Sequence, residues 1–534
     1  MVFRSPHPDV DIPDVALHDF VMGAAARRFG DKVALVDGDT AETLTYRELH
    51  DRVHAGADYL TKIGVHPGDV VAVMSHNQPR FAVVAHAVLS AGAAITPINP
   101  MYTADEVAAQ LNAAHASVLV TSAEAEPRAV QAAKRARIRH VLVMTGPDAG
   151  WLDPTVDRPV VEPSGHVDPV NTVAVLPFSS GTTGVPKGVR LTHRNVVANL
   201  VQMRQGWRIQ SDDVVLAVLP FFHIYGFTVI LNSSLLAGAT IVTQARFDRE
   251  RFLGAVARHR VTRAFFAPPM LLSIAKSELA QRYSTTSLRY GICGAAPLDT
   301  DVVTRVEQRL GCRIRQGYGM TEASPGTHIV ADDAAADTPS GCVGTLLPNT
   351  EARLVAPGTD TDVGPGCAGE LLIRGPQVMA GYLDDGAATA DAITDGWLRT
   401  GDLVRIDAGG QYWIEDRLKE LIKYKGYQVA PAELEAVLLT HPNVTDAAVV
   451  PVPDPTAGEV PKAFVVLSSP NADLDEVIAY VAQRVAPYKK IRSIEAVETI
   501  PKSPTGKILR RLLKDRERLQ RPADAAGCDL KGAQ

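Results

Sequence analysis

Short apolar runs of strand length alternate with longer amphipathic stretches along most of this chain, and that alternation limits the possible folds more than any other feature. Residues 70–74, 117–121, 140–144, 214–218 and 240–243 read as strands, while residues 46–60 and 104–114 between them read as helices. Helices are the usual crossovers between parallel strands, so α/β layers with mainly parallel sheets are expected. At 534 residues the chain is too long for one core, and several subdomains follow. Between residues 351 and 373 the pattern changes to short strands broken by Gly and Pro, which predicts a small β-rich subdomain. Residues 416–426 are densely charged, and after them the pattern restarts: a helix at 432–439, strands at 447–452 and 463–467, a helix at 474–485. This places a boundary near Lys419, between a large N-terminal domain of residues 1–418 and a small α+β C-terminal domain of residues 419–534. The polar tail from about residue 517 reads as frayed.

Residues 81–98 are apolar enough to suggest a membrane span. They contain His86, Ser90 and Gly92 and end in a proline pair around Asn99, so a buried helix followed by a strand is the better reading. The five cysteines are scattered without Cys-x-x-Cys spacing. That argues against a disulfide framework or a zinc site, and the N-terminus has no apolar signal core; a cytoplasmic protein is expected. The formal net charge is -6, which supplies no basic field for nucleic acid. Anionic substrates must then be held by local groups.

Five stretches carry candidate chemistry. Ser179-Ser180-Gly181-Thr182-Thr183-Gly184 leads through Val185 and Pro186 to Lys187. Small hydroxyl and glycine residues let backbone N–H groups approach phosphate oxygens, and Lys187 adds a cation. It is not a Walker loop, because the Gly-Lys-Ser/Thr spacing is missing, and on composition alone a surface loop explains it as well. His223, set among Phe221, Phe222 and Tyr225, reads either as a pocket residue or as a satisfied core histidine. Gly294-Ala295-Ala296-Pro297 and Gln316-Gly317-Tyr318-Gly319-Met320-Thr321-Glu322 allow a flat ring to lie against backbone. Tyr318 can stack on that ring, and Glu322 can hold Mg²⁺; a tight turn and a solvated acid are the plain alternatives. Asp402, followed fourteen residues later by Asp416-Arg417, can accept from both hydroxyls of a ribose to which Arg417 donates, or can form a surface ion pair. Lys507, in Pro501-Lys502-Ser503-Pro504-Thr505-Gly506-Lys507, sits on a Pro/Gly-rich turn able to swing a cation into a site.

In this order the stretches resemble the adenylate-forming superfamily of acyl- and aryl-CoA synthetases, nonribosomal adenylation domains and beetle luciferases. Within it the chain looks most similar to the 4-coumarate–CoA ligases. The resemblance runs from Leu44 to Arg510 and rests on SSGTTGVPKGV, QGYGMTEA, YKGYQVAPAELE and PKSPTGKILR. It implies that Ser179 to Lys187 wrap the ATP phosphates and that Thr183 and Glu322 help hold Mg²⁺. Gly294 to Pro297 and Gln316 to Tyr318 would form the adenine wall, Gly319, Met320 and Thr321 would also bind ATP or AMP, and Asp402 with Arg417 would form the ribose clamp. His223, Tyr225, Ile292, Pro325, Gly326 and Gln428 would serve the acyl group. Lys507 would be the adenylation lysine and Lys419 the hinge. Lys423 would support catalysis, and Lys425-Gly426 would face coenzyme A. The implied activity joins a small carboxylic acid to coenzyme A through an acyl-AMP, with no nucleic-acid partner, no membrane span and no obligate protein partner. Many plant 4-coumarate ligases have a polar residue where this chain has Ile292, which implies that cinnamate is used comparably well. Gly326 replaces a bulkier residue and implies added room. The competing readings are a medium-chain fatty acyl-CoA ligase, an adenylation enzyme loading a carrier protein, a luciferase-type oxygenase, and a non-catalytic nucleotide-binding scaffold.

Overall fold

The structure, a computed structural model, describes residues 1–155, 167–179, 186–294, 300–334, 338–425, 427–469, 472–503 and 506–520. The chain divides into two compact units, one of residues 1–400 and 404–414, the other of residues 401–403 and 415–534.

Two large sheets dominate the first unit. One has nine strands in the order Thr345–Leu346, Gly326–Ile329, Arg313–Gly319, Tyr290–Cys293, Arg263–Phe266, Val214–Ala217, Thr240–Thr243, Val33–Asp37 and Thr43–Thr45. The strands from Arg313–Gly319 to Val33–Asp37 are parallel. The other is built on parallel strands at Ala94–Ile98, Val70–Met74, Ala116–Thr121 and His140–Val143. Lys187–Thr192 then runs antiparallel beside Val173–Val175 and is followed by Gly381–Tyr382. The expected parallel centres are present; antiparallel strands close both edges of the first sheet and one edge of the second, whose other edge is the parallel strand His140–Val143. Residues 81–98 form the buried helix Pro79–Ser90 and the strand Ala94–Ile98. Among the described residues no helix is long and apolar enough to cross a membrane.

Helix starts follow local chemistry. Thr45 accepts from Glu48 N–H while Glu48 accepts from Thr45 N–H, and Thr103 and Glu106 repeat the device. Such reciprocal caps satisfy donors that a helix start otherwise leaves unpaired. A smaller sheet combines Phe3–Arg4, Glu351–Val355, Ala368–Arg374, Trp397–Ile406 and Ile393–Thr394, and accounts for the β-rich stretch expected around residues 351–373.

The second unit has a five-stranded sheet whose central strand, Gly458–Leu467, forms a long hairpin with the edge strand Val444–Asp454. Ser493–Ala496 adds a parallel strand beside Gly458–Leu467. The helices Pro431–Leu439 and Leu474–Ala482 bury Leu434, Leu438, Val477 and Val481 in the same core as Val449 and Val465.

Three histidines of the first unit, His86, His193 and His328, are fully buried, and burial pushes His328 down to about 3. His193 takes the Leu17 N–H on Nδ1 at 3.0 Å, a bond that only the neutral ring can accept. Burial, and then the nearby His18, push His86 down to about 3 and His193 to about 4. The unfolded chain takes up these protons near pH 6.5, whereas the folded chain does not. The stability they contribute is therefore complete above pH 6.5 and is lost as pH falls toward 4, at about 1.4 kcal/mol per pH unit for each ring. Denaturant melts between pH 7 and 5 should show this slope, and His193→Asn, which keeps an acceptor that does not titrate, should flatten it by one ring's share. An unchanged slope would remove His193 from this account.

Candidate functional site

Three of four neighbouring parallel strands of the nine-stranded sheet deliver the candidate residues at their carboxyl ends. His223 and Tyr225 follow Val214–Ala217, Gly294 follows Tyr290–Cys293, and residues 316–322 end and follow Arg313–Gly319. Polar groups and ligands collect at such strand ends in open α/β sheets. Gly319 is required there: a Cβ would lie 2.2 Å from the Pro325 carbonyl oxygen, and the strand register shifts between Tyr318 and Gly319.

Tyr225 opens a π-helix, Tyr225–Asn232, and donates its N–H to Nδ1 of His223 at 3.2 Å. This places the proton of the neutral imidazole on Nε2. The Tyr225 ring stands edge-on to Phe265, with centroids 6.2 Å apart. Ile292 is fully buried and pairs with Phe265 across the parallel strands, so it shares that face. The Tyr225 hydroxyl is buried without a hydrogen-bond partner among the described residues, and burial raises its pKa well above the usual value. A Cβ on Gly294 would lie 3.4 Å from that hydroxyl, so backbone approaches it closely.

The room expected at Gly326 is already taken. A Cβ there would lie 3.0 Å from Met203 Sδ and 3.4 Å from Asn199 Oδ1, and Asn199 bonds both Gly326 N–H and Gly326 carbonyl. Pro325 precedes it and accepts the Met320 N–H on its carbonyl at 3.0 Å.

A second cluster forms where Lys187–Thr192 meets Gly381–Tyr382. Ser179 pairs with Lys187 in antiparallel register at the base of the candidate phosphate loop. Lys187 makes a 2.9 Å ion pair with Asp385 and lies 5.3 Å from the Tyr382 ring centre. Tyr382 in turn donates its hydroxyl to Glu322 at 3.0 Å, and Glu322 is 7% exposed. A hydrogen bond from Ala388 N–H, and then Lys187, hold the Asp385 carboxyl below its ordinary range. Tyr382 and Asp385 had no place in the sequence reading. They stand 60 and 198 residues from their partners, and the only local signal was a Gly-Tyr pair resembling an ordinary strand. Gln316 is buried, and Gly317, Tyr318, Met320 and Thr321 line the same strand end, with the Tyr318 ring 5.6 Å from His328. Ser180, Gly181, Thr182, Thr183, Gly184, Ala295, Ala296, Pro297 and Gly426 lie outside the described residues.

The second unit gathers Asp402, Arg417 and Lys507. Asp402 is buried and pairs with Arg417 Nε at 3.0 Å, so the bland alternative of a surface pair does not describe it. Burial, and then Arg417, push the Lys507 ammonium down to about 8, against the opposing pull of Glu420 and Asp402. Beside them Asp416 is raised to about 7 by burial, although it accepts the Arg417 N–H at 2.6 Å. Lys419 is exposed on the turn after Arg417. Lys423 and Lys425 are exposed on and after the strand Ile422–Tyr424, and the backbone of Gln428 pairs with Lys423.

Residues 23–383 match the model of the AMP-binding enzyme family, and residues 433–507 match that of the AMP-binding enzyme C-terminal domain. The chain is 43% identical to 4-coumarate–CoA ligase 5 of Oryza sativa subsp. japonica over 96% of its own length and 97% of the relative's. Among solved structures, ATP-bound MatB from Rhodopseudomonas palustris superposes with a TM-score of 0.86 at 26% identity, covering 95% of this chain and 99% of that one. The o-succinylbenzoate CoA synthetase of Bacillus subtilis, in complex with its acyl-adenylate intermediate, gives 0.82 at 27% identity, covering 95% and 99%. The chain belongs to the AMP-binding enzyme family.

Proposed function

We propose that this protein is an AMP-forming acid–thiol ligase that converts an aryl acid of the 4-coumarate and cinnamate class to its coenzyme A thioester. The near full-length relation to 4-coumarate–CoA ligase carries this reading. In the first half-reaction a carboxylate oxygen attacks the α-phosphorus of ATP, and the bond to pyrophosphate breaks. In the second the coenzyme A thiolate attacks the acyl carbonyl, and AMP leaves with the bonding electrons.

Two anions meet in the first step, so positive charge is needed where negative charge gathers. Lys507 supplies it, with Asp402 and Arg417 holding the ribose. Lys187 supports the phosphates. Glu322 suits Mg²⁺: it is one buried carboxylate, braced by the Tyr382 hydroxyl on a single oxygen, and Mg²⁺ takes few protein carboxylates beside phosphate oxygens. The ion would screen phosphate charge. Lys419 is the proposed hinge, and Lys423, Lys425 and Gln428 handle the acyl-adenylate and the thiol. The first domain then spans residues 1–418 and the second 419–534.

The acid pocket combines Ile292, which offers no hydrogen bond, with the unpaired Tyr225 hydroxyl. Tyr225 therefore receives the ring hydroxyl of 4-coumarate, while cinnamate loses only that contact. A lost buried hydrogen bond costs about 1–3 kcal/mol. Tyr225→Phe should lower kcat/KM for 4-coumarate by about 5- to 150-fold and leave cinnamate within about threefold, measured by AMP release. A panel extended to C6–C12 fatty acids tests the rival ligase; preference for those acids would replace the aryl reading.

Lys507→Ala should abolish pyrophosphate release and spare thioester formation from supplied acyl-adenylate. Because the lysine carries its charge below about pH 8 and loses it above, adenylation should fall as pH rises through 8. Thioester formation from supplied adenylate should lack that limb. Equal loss in both halves would exclude Lys507 from the adenylation role.

A further inference from the structure

One buried guanidinium in the second unit has no part in the chemistry just described. Arg510 begins the helix Arg510–Gln520, three residues after Lys507, and its side chain is 10% exposed. Its Nη2 donates to both oxygens of Glu435, at 2.8 and 2.7 Å. Nη1 pairs with Glu420, and Nε donates to the Val449 carbonyl at 3.2 Å. Glu435 closes the arrangement by accepting the Val449 N–H at 2.8 Å. One side chain thus joins the turn beside Lys419, the helix Pro431–Leu439 and the edge strand Val444–Asp454.

A buried ion pair is weak grounds for stability, because apolar residues of similar volume often serve as well. Direction is what a guanidinium fork adds: bonds on all three nitrogens fix its plane, and with it the backbone that carries it. That backbone is the end of the lysine loop. At the loop's start Lys502 binds both oxygens of Asp446, at 2.7 and 2.6 Å, on the same strand as Val449. Between these two clamps Lys502 and Ile508 form a bridge, Ser503 N–H donates to the Lys507 carbonyl at 2.8 Å, and Lys507 N–H donates to Ser503 Oγ at 3.1 Å.

We propose that Arg510 is a positioning residue for adenylation: it fixes the far end of the lysine loop to the strand Val444–Asp454 and, through Glu420, to the turn that holds Lys419. The proposal rests on the reading that Lys507 is the adenylation cation. Lysine at position 510 keeps the charge but replaces the planar fork with a single ammonium, so the loop loses its fixed direction while the cluster keeps its charge balance. Misplacing a reacting group by about 1 Å costs up to about 100-fold in rate.

The test compares wild type, Arg510→Lys and Glu420→Gln in separate half-reactions, with melting temperature recorded for each. Glu420→Gln cuts the link to the turn, at a side chain 21% exposed. It also removes a carboxylate that favours the Lys507 proton, so the half-reactions are compared well below pH 8, where the lysine stays charged. Arg510→Lys is expected to lower kcat for pyrophosphate release by about 10- to 100-fold with KM for ATP and acid within about threefold, while thioester formation from supplied acyl-adenylate stays within about threefold. Glu420→Gln is expected to move the same half-reaction in the same direction by a smaller factor. Equal loss in both half-reactions, or full adenylation by both variants, overturns the positioning role. Absence of pyrophosphate release from wild type with every acid would instead overturn the underlying ligase reading.

Discussion

Parallel strands buried on both faces leave few places for polar chemistry, and the structure of the first unit follows from that limit. Val215, Leu216, Ala264, Phe265 and Ile292 are all fully buried. A titrating group within such strands would lose its hydration without compensation. Polar side chains therefore gather where the strands end, and four adjacent strands end together around His223, Gly294 and residues 316–322. The antiparallel edges extend the same site. Gly326–Ile329 folds back beside Arg313–Gly319, and Gly381–Tyr382 runs beside Lys187–Thr192, which brings Tyr382 to Glu322 and Asp385 to Lys187.

These two pairings are of different kinds. Tyr382 holds a buried carboxylate through a neutral hydroxyl, so the negative charge stays available for a cation. Asp385 pairs with Lys187 while side chains of both remain partly exposed, at 24% and 39% for the lysine and aspartate. An exposed pair of this sort contributes little to stability and exchanges readily with an incoming anion. Under the proposed function an arriving phosphate would compete with Asp385 for the ammonium at small cost, while Tyr382 holds Glu322.

Local pattern made much of the fold legible. Apolar runs of five residues flanked by capping boxes left little ambiguity about the parallel strands and their helices, and the glycine-rich stretches marked where backbone must approach backbone, as Gly319 does. Pattern did not reveal what depends on distant partners. Gly326 suggested open space, yet Met203 on a helix far back in the chain fills it. The π-helix at Tyr225–Asn232 has no signature in its apolar sequence. Arg510 stood in the sequence only as the last residue of PKSPTGKILR, and nothing in that stretch pointed to its three acceptors on three separate elements.

Burial sets opposing demands on the lysine that the second unit carries. Removing water strengthens every interaction the ammonium makes, and the same loss of water favours giving up the proton. At a pKa of about 8 roughly 90% of Lys507 is still charged at pH 7, and further desolvation would soon remove that charge. Glu420 and Asp402 hold the balance by favouring the proton, while Arg417 and Arg510 oppose them. Arg417 is itself committed to Asp402, and Arg510 to Glu420 and Glu435, so each cation near the lysine brings its own neutralising carboxylate. The unit therefore keeps two guanidiniums close to an ammonium without driving off its proton, and the positive charge stays on the one group whose position the loop controls.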